Sequence, residues 1–195
     1  MQAWFRNLAL AAGLAFAATG ASAQSAVDVE GIKFAPTVQV GGQSLVLNGA
    51  GVRKKFVIKV YAAGLYVAKK STDAASVIND KGPRRVSLGL LRDLDADTFI
   101  GALNDGLKDN LSETQFAALR PRIEALNATL KSIGEGKKGD LINFDYTPEG
   151  GTRITVNGQP KGNAIAGDDF YAAVLRIWLG DKPADAALKK AMLGG

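Results

Sequence analysis

The sequence predicts an α+β domain, on three observations. Short apolar alternations broken by Pro36 and by Gly41-Gly42 precede a long β-like run at residues 56–67; a helical periodicity occupies the middle of the chain; and a second hairpin pattern is followed by an apolar helix. No repeat, long linker or low-complexity stretch interrupts this order, so one domain over residues 24–195 is expected. The first 23 residues are set aside. "MQAWFRNLALAAGLAFAATGASA" has Arg6 as a positive n-region, Leu8 to Ala18 as a short apolar h-region and Ala21-Ser22-Ala23 as a small-residue exit, the layout of a secretory signal peptide. The apolar run is short of the ~20 residues that cross a bilayer, so no stable membrane anchor is expected after cleavage.

In order along the chain, "VDVEGIKFAPTVQVGGQSLVLNGAGV" reads as two or three short strands with a hairpin. In residues 56–67, Phe56, Ile58, Val60 and Ala62 share one parity and Val57, Tyr61, Ala63, Leu65 and Val67 the other, with Lys59 the only charge. Apolar residues on both faces predict a strand covered on each side. "STDAASVIND" predicts a short helix capped by Ser71 or Thr72 and closed by Gly82-Pro83, and "RRVSLGLL" another strand. Phe99, Leu103 and Leu107 lie on one stripe of a helix over 96–108. Ser112 with Gln115 fits a capping box opening a longer helix that Pro121 should kink. "KKGDLINFDYTPEGGTRITVNGQPKG" carries turns at Pro-Glu-Gly-Gly and Asn157-Gly158. A helix from Asp169 to Leu179 stops at Gly180, and Pro183 introduces a short terminal helix.

Composition narrows the chemistry. The chain has no cysteine, so it rests on packing without disulfides, and no histidine, which removes the usual general base near neutral pH and the commonest transition-metal ligand. Serine and cysteine hydrolase triads and His-based zinc sites are excluded in consequence. The formal net charge of +5 falls by one with the leader's Arg6. The basic residues are scattered, with Lys54-Lys55, Arg84-Arg85 and Lys137-Lys138 reading as solvated edges, and no nucleic-acid partner is expected. Asp93, Asp95 and Asp97 alternate before a helix, where carboxylates favour the dipole. They lack the central Gly and bidentate Glu of a calcium loop. "LNGAG" at 47–51 reads as a turn, since no G-K-[ST] follows and the next element is a strand, unlike a phosphate loop. No metal or cofactor is expected.

Two residues stand apart by their setting. Arg53 emerges beside a strand covered on both faces, where its fork suits a carboxylate or enolate oxygen, and the Tyr61 hydroxyl is placed to donate a second hydrogen bond. The plainer reading makes Arg53 a surface charge and Tyr61 a packed ring. Along one straight strand the two Cα atoms would be roughly 26 Å apart. A shared site therefore requires a bend, bulge or hairpin between Lys54 and Phe56.

Val29-Glu30 with Phe34 and Pro36, Gly42-Gln43-Ser44, Leu47, Gly49-Ala50-Gly51 with Arg53, "KVYAAGLYV" at 59–67 and "FYAAVLRIWLG" at 170–180 occur in an order that resembles the chalcone isomerase family, in its secreted bacterial chalcone isomerase-like branch. The resemblance covers essentially all of residues 24–195. It implies an open-faced β-sandwich, an antiparallel sheet packed against a layer of helices, with a ligand cleft between them. In the plant enzymes the arginine after Gly-Ala-Gly holds the substrate and its developing oxyanion, a position that falls on Arg53. Tyr61 replaces a threonine of those enzymes, and Phe99 and Gly106 align with a helical tyrosine and asparagine, neither able to donate a side-chain hydrogen bond. Members that bind fatty acids pair the arginine with a tyrosine, which implicates Arg53 and Tyr61, with Lys59 as a third candidate sharing their parity. The implied protein is secreted and periplasmic, without catalytic residues, and binds a fatty acid or similar small amphipathic carboxylate. The alternative is an intramolecular lyase or isomerase acting on an enone-like ligand.

Overall fold

A computed structural model describes residues 25–195; the leader expected over residues 1–23 lies outside them. The elements are β1 (Val27–Val29), β2 (Ile32–Phe34), β3 (Thr37–Val40), β4 (Gln43–Lys55), β5 (Ile58–Val67), α1 (Ala74–Asn79), β6 (Arg84–Leu90), α2 (Ala96–Asn110), α3 (Glu113–Ile133), β7 (Leu141–Thr147), β8 (Gly151–Val156), β9 (Gln159–Ile165), α4 (Asp168–Leu179) and α5 (Ala186–Met192). Strands β3 to β9 form one antiparallel sheet of seven in sequence order. Helix α1 is inserted between neighbours β5 and β6, and helices α2 and α3 between neighbours β6 and β7.

The helices cover one face of this sheet. The apolar set there runs from Tyr61, Ala63, Leu65 and Val67 of β5 through Leu88, Phe144 and Ile154 to Phe99, Leu103 and Leu107 of α2 and nearly the whole of α4. Helix α4 is buried on most of its circumference because it lies between the sheet and the outer helices, which explains its continuous apolar sequence. The opposite face is covered at one end by the β1–β2 hairpin, whose Phe34 packs with Val40, Leu45, Leu47, Ala62 and Tyr66. Tyr66 donates to the Ala35 carbonyl at 3.0 Å. Strand β5 is thus covered on both faces from Val60 onward, as its two-sided apolar pattern predicts.

Three local expectations change. "LNGAG" is no turn: β4 runs through it, with a bulge between Leu47 and Gly49. Its glycines serve a close approach, since a Cβ on Gly49 would lie 2.1 Å from the Ala191 carbonyl oxygen and one on Gly51 would lie 2.6 Å from Ala191 Cβ. The missing side chains let α5 lie directly on β4. The intervening Asn48 donates to the carbonyls of Ser71 and Met192 and accepts from Ser71 N–H, tying both ends of this contact to the strand. Helix α1 is capped by Asp73, whose carboxylate accepts from the N–H groups of Ala75 and Ser76, while Ser71 is engaged by Asn48.

The third concerns Arg84 and Arg85, which are no solvated edge. Arg84 is fully buried, with its guanidinium 5.1 and 5.2 Å from the Tyr146 and Tyr171 rings. It donates to the carbonyls of Val77, Ile78 and Gly82 and to Asp168. It therefore closes the C-terminal end of α1, where unpaired carbonyls collect negative charge. Arg85 is paired with Asp145 across the opposite face of the sheet. The capping box of Ser112 and Gln115 is formed, and α3 continues through Pro121 as one helix.

Candidate functional site

The stretch 53–61 is a hairpin. Lys55 pairs with Ile58 around a two-residue turn at Phe56-Val57, and Arg53 pairs directly with Tyr61. A register shift between Arg53 and Lys54 leaves Val60 as the extra residue of β5. This bulge inverts the parity of β5 across it. Beyond it Tyr61, Ala63, Leu65 and Val67 face the helices; before it Val60 and Ile58 do, and both line the cleft. Lys59 is turned to the other face, where its ammonium bonds Glu30 of the β1–β2 turn at 2.7 Å. Lys59 does not line the cleft, although it shares an odd number with Arg53 and Tyr61.

The cleft has a volume of about 640 Å³, within the roughly 300–1,000 Å³ of small-molecule sites. One wall is the hairpin, through Arg53, Lys55, Ile58 and Val60; the other is α2, through Thr98, Phe99, Ala102, Asp105, Gly106 and Asp109. The segment after β6, residues 92–95, and the α4–α5 connection at Lys182, Pro183 and Ala184 close its ends. Phe99 and Gly106, aligned with hydrogen-bonding residues in the family's enzymes, both line the cleft, and neither brings it a side-chain donor. A Cβ on Gly106 would lie 3.0 Å from Ile177, so the glycine lets α2 pack on α4.

Arg53 heads the cleft. Its guanidinium carbon lies 5.6 Å from the centroid of the Tyr61 ring, a cation–π contact. Among the described residues it forms no ion pair, and its buried Nε–H has no acceptor. A buried donor without a partner is uncommon in a folded protein. Asp185, N-cap of α5, receives the N–H groups of Lys54 and Leu188 at 3.0 and 2.9 Å. Burial pushes its carboxyl up, but those N–H groups, that of Ala187 and the field of Arg53 outweigh burial and hold it below the usual carboxylate value.

Tyr61 is 2% exposed and does not line the cleft. Its hydroxyl accepts the Trp178 Nε1–H at 2.8 Å and donates to no protein acceptor among the described residues. Burial raises its pKa, against the lowering influence of Arg53 and of the bond from Trp178, so it stays protonated. Arg53 and Tyr61 are therefore brought together, with the ring as floor and the guanidinium above it. The three aspartates at the start of α2 have structural engagements: Asp93 binds Lys137 and the Lys138 N–H, Asp95 caps α2, and Asp97, in its first turn, pairs with Lys131.

A curled antiparallel sheet, helices layered on one face, and a cleft at their junction headed by an arginine without an ion pair among the described residues define an open-faced α+β sandwich with a small-molecule-sized site. A family model described as chalcone isomerase-like matches residues 26–194, and the chain belongs to that family. Among solved structures, a fatty-acid binding protein of Arabidopsis thaliana shares the fold with a TM-score of 0.65 at 16% identity, over 84% of this chain and 92% of that one. No curated protein matches the chain.

Proposed function

We propose that this chalcone isomerase-like protein binds a fatty acid or a similar small amphipathic carboxylate in the cleft between hairpin and α2. The observation that carries the reading is Arg53, a cation at the head of the cleft with a buried Nε–H that no group among the described residues accepts. A carboxylate supplies the missing acceptor and the missing charge together. The tail lies along Ile58, Val60, Leu94 and Phe99, where its burial provides most of the affinity. Tyr61 positions the guanidinium by stacking beneath it. The fatty-acid binding protein that shares the fold supports the ligand class. An isomerase would need a proton donor or acceptor facing the reacting atoms. Phe99 and Gly106, at the positions the family's enzymes use, offer none, and the Tyr61 hydroxyl, bonded by Trp178, lies outside the lining; the isomerase reading would have to use Thr98, Asp105 or Asp109 of α2 instead. With the signal-like segment 1–23 removed by export, the site of action is periplasmic.

The test is native mass spectrometry of residues 24–195 after addition of a long-chain fatty acid, for the wild type and Arg53→Ala. A one-to-one adduct on the wild type, weakened in the variant, is expected. No adduct on the wild type, or equal adducts on both, would count against this assignment.

A further inference from the structure

The β4–β5 hairpin ends in Phe56 and Val57, each 92% exposed, followed by Ile58 at 47%. Three of the four exposed large hydrophobic residues among those described thus sit on one protruding turn. Single apolar side chains on a surface are ordinary; a cluster at a tip marks a contact. The backbone adds a second signal. Phe56 has φ 56°, in the left-handed region, where the turns at Glu30-Gly31, Gly41-Gly42 and Asn157-Gly158 use glycine or a short polar residue in at least one position. Here a strained conformation holds an aromatic ring in water and contributes nothing to the core. Strain of this kind persists where it serves a function.

The charges around the tip identify the partner. Lys54, Lys55 and Lys59 flank it, and of these only Lys59 has an acidic partner among the described residues. We infer that the Phe56-Val57-Ile58 tip inserts into the headgroup–acyl boundary of a bilayer bearing anionic lipid, with Lys54 and Lys55 meeting the headgroups. Three apolar residues fall far short of the roughly 20–30 per side of a stable protein interface, which disfavours a second copy of the chain as occupant. A bilayer needs no matching surface, only an apolar point and a cationic collar. Lys55 and Ile58 belong to the cleft wall as well, so docking sets the cleft mouth against the membrane. That last consequence rests on the fatty-acid reading; the docking itself does not.

The experiment is flotation of residues 24–195, which contain every described element, with vesicles of phosphatidylcholine alone or mixed with phosphatidylglycerol. The wild type is expected to float with the mixed vesicles. Phe56→Ser combined with Val57→Ser should weaken this at least about tenfold, and Lys54→Gln roughly fivefold. Both changes lie on exposed side chains, so the unfolding midpoint should hold or rise, separating loss of docking from loss of fold. Arg53→Ala should float like the wild type even where it loses fatty acid, which keeps failure of the cleft distinct from failure of the tip. Absence of the wild type from mixed vesicles, or equal flotation of the serine variant, overturns the inference. So does a dimer in solution that the serine variant abolishes while no vesicles are bound.

Discussion

Replacing Tyr61 separates its two contacts. Tyr61→Phe keeps the ring under Arg53 and deletes the oxygen that accepts the Trp178 Nε1–H. Both residues are almost fully buried, so the indole donor is left without water or protein. The cost of such an orphaned group is about 1–3 kcal/mol. For a domain of this size that lowers Tm by about 2–12 °C. Trp178 is the only tryptophan of residues 24–195, so its emission during urea unfolding of that segment reports both the bond and the stability. Fatty-acid affinity, measured by displacement of a fluorescent analogue, should change by less than about twofold because the platform remains. Tyr61→Leu removes the platform. The guanidinium must then be ordered by the ligand, at about 0.5–1.5 kcal/mol, or roughly two- to tenfold in Kd. If Tyr61→Phe leaves stability intact and weakens binding as much as Arg53→Ala does, the hydroxyl contacts the ligand and the positioning role is wrong.

Gly49→Ala forces a methyl against the backbone of α5, 2.1 Å from the Ala191 oxygen, and should cost about 1–3 kcal/mol in urea unfolding. Gly101→Ala, on α2 with nothing within 4 Å of the added methyl, should instead gain about 0.5–1 kcal/mol. Arg84→Ala orphans the buried α1 carbonyls, while Asp168 keeps Lys81, and should cost at least about 1–3 kcal/mol, read as a lower midpoint in the same assay. All four tyrosines have raised pKa values, led by burial, with Tyr66 at about 12. Since each folded value exceeds the unfolded one, their contribution to stability is complete below pH 10 and is lost as pH rises towards the folded values. Phenolate absorbance should appear only together with loss of the circular dichroism signal; a phenol titrating near its ordinary pKa in folded protein would contradict their burial.

The α+β order, the helical stripe through Phe99, Leu103 and Leu107, the capping box and the Asn157-Gly158 turn were legible because each rests on a local rule of period or turn chemistry. What stayed hidden depends on partners distant in sequence. The glycines of "LNGAG" look like turn residues until α5, some 140 positions later, is seen lying on them. Arg84 carries the signature of a surface charge and becomes a core residue only when two tyrosines and the end of α1 surround it. Arg53 was singled out through family resemblance, and the structure puts it in the cleft wall with its Nε–H lacking an acceptor among the described residues. The Tyr61 hydroxyl, expected as a second donor beside Arg53, accepts from Trp178 of α4, a contact 117 positions away in sequence, and the Tyr61 ring lies against Arg53.

Lys59 shows why parity alone could not define the cleft. Counting by twos from Tyr61 puts it on the helix face, but the extra residue at Val60 shifts the count by one on the turn side of the bulge. Without that residue, Val60 would be gone, Ile58 would move to the outer face and Lys59 would enter the cleft beside Arg53, Lys55, Arg92 and Lys182. The cleft would gain a fifth cation and lose the apolar half of its hairpin wall. With the bulge in place, one strand supplies an arginine and the other a branched apolar surface, on the same face and within one turn of the exposed tip. An amphipathic carboxylate requires that combination, a cation at one end and a dry wall alongside. The irregular position in β5, rather than any single polar residue, gives this end of the sheet its amphipathic wall.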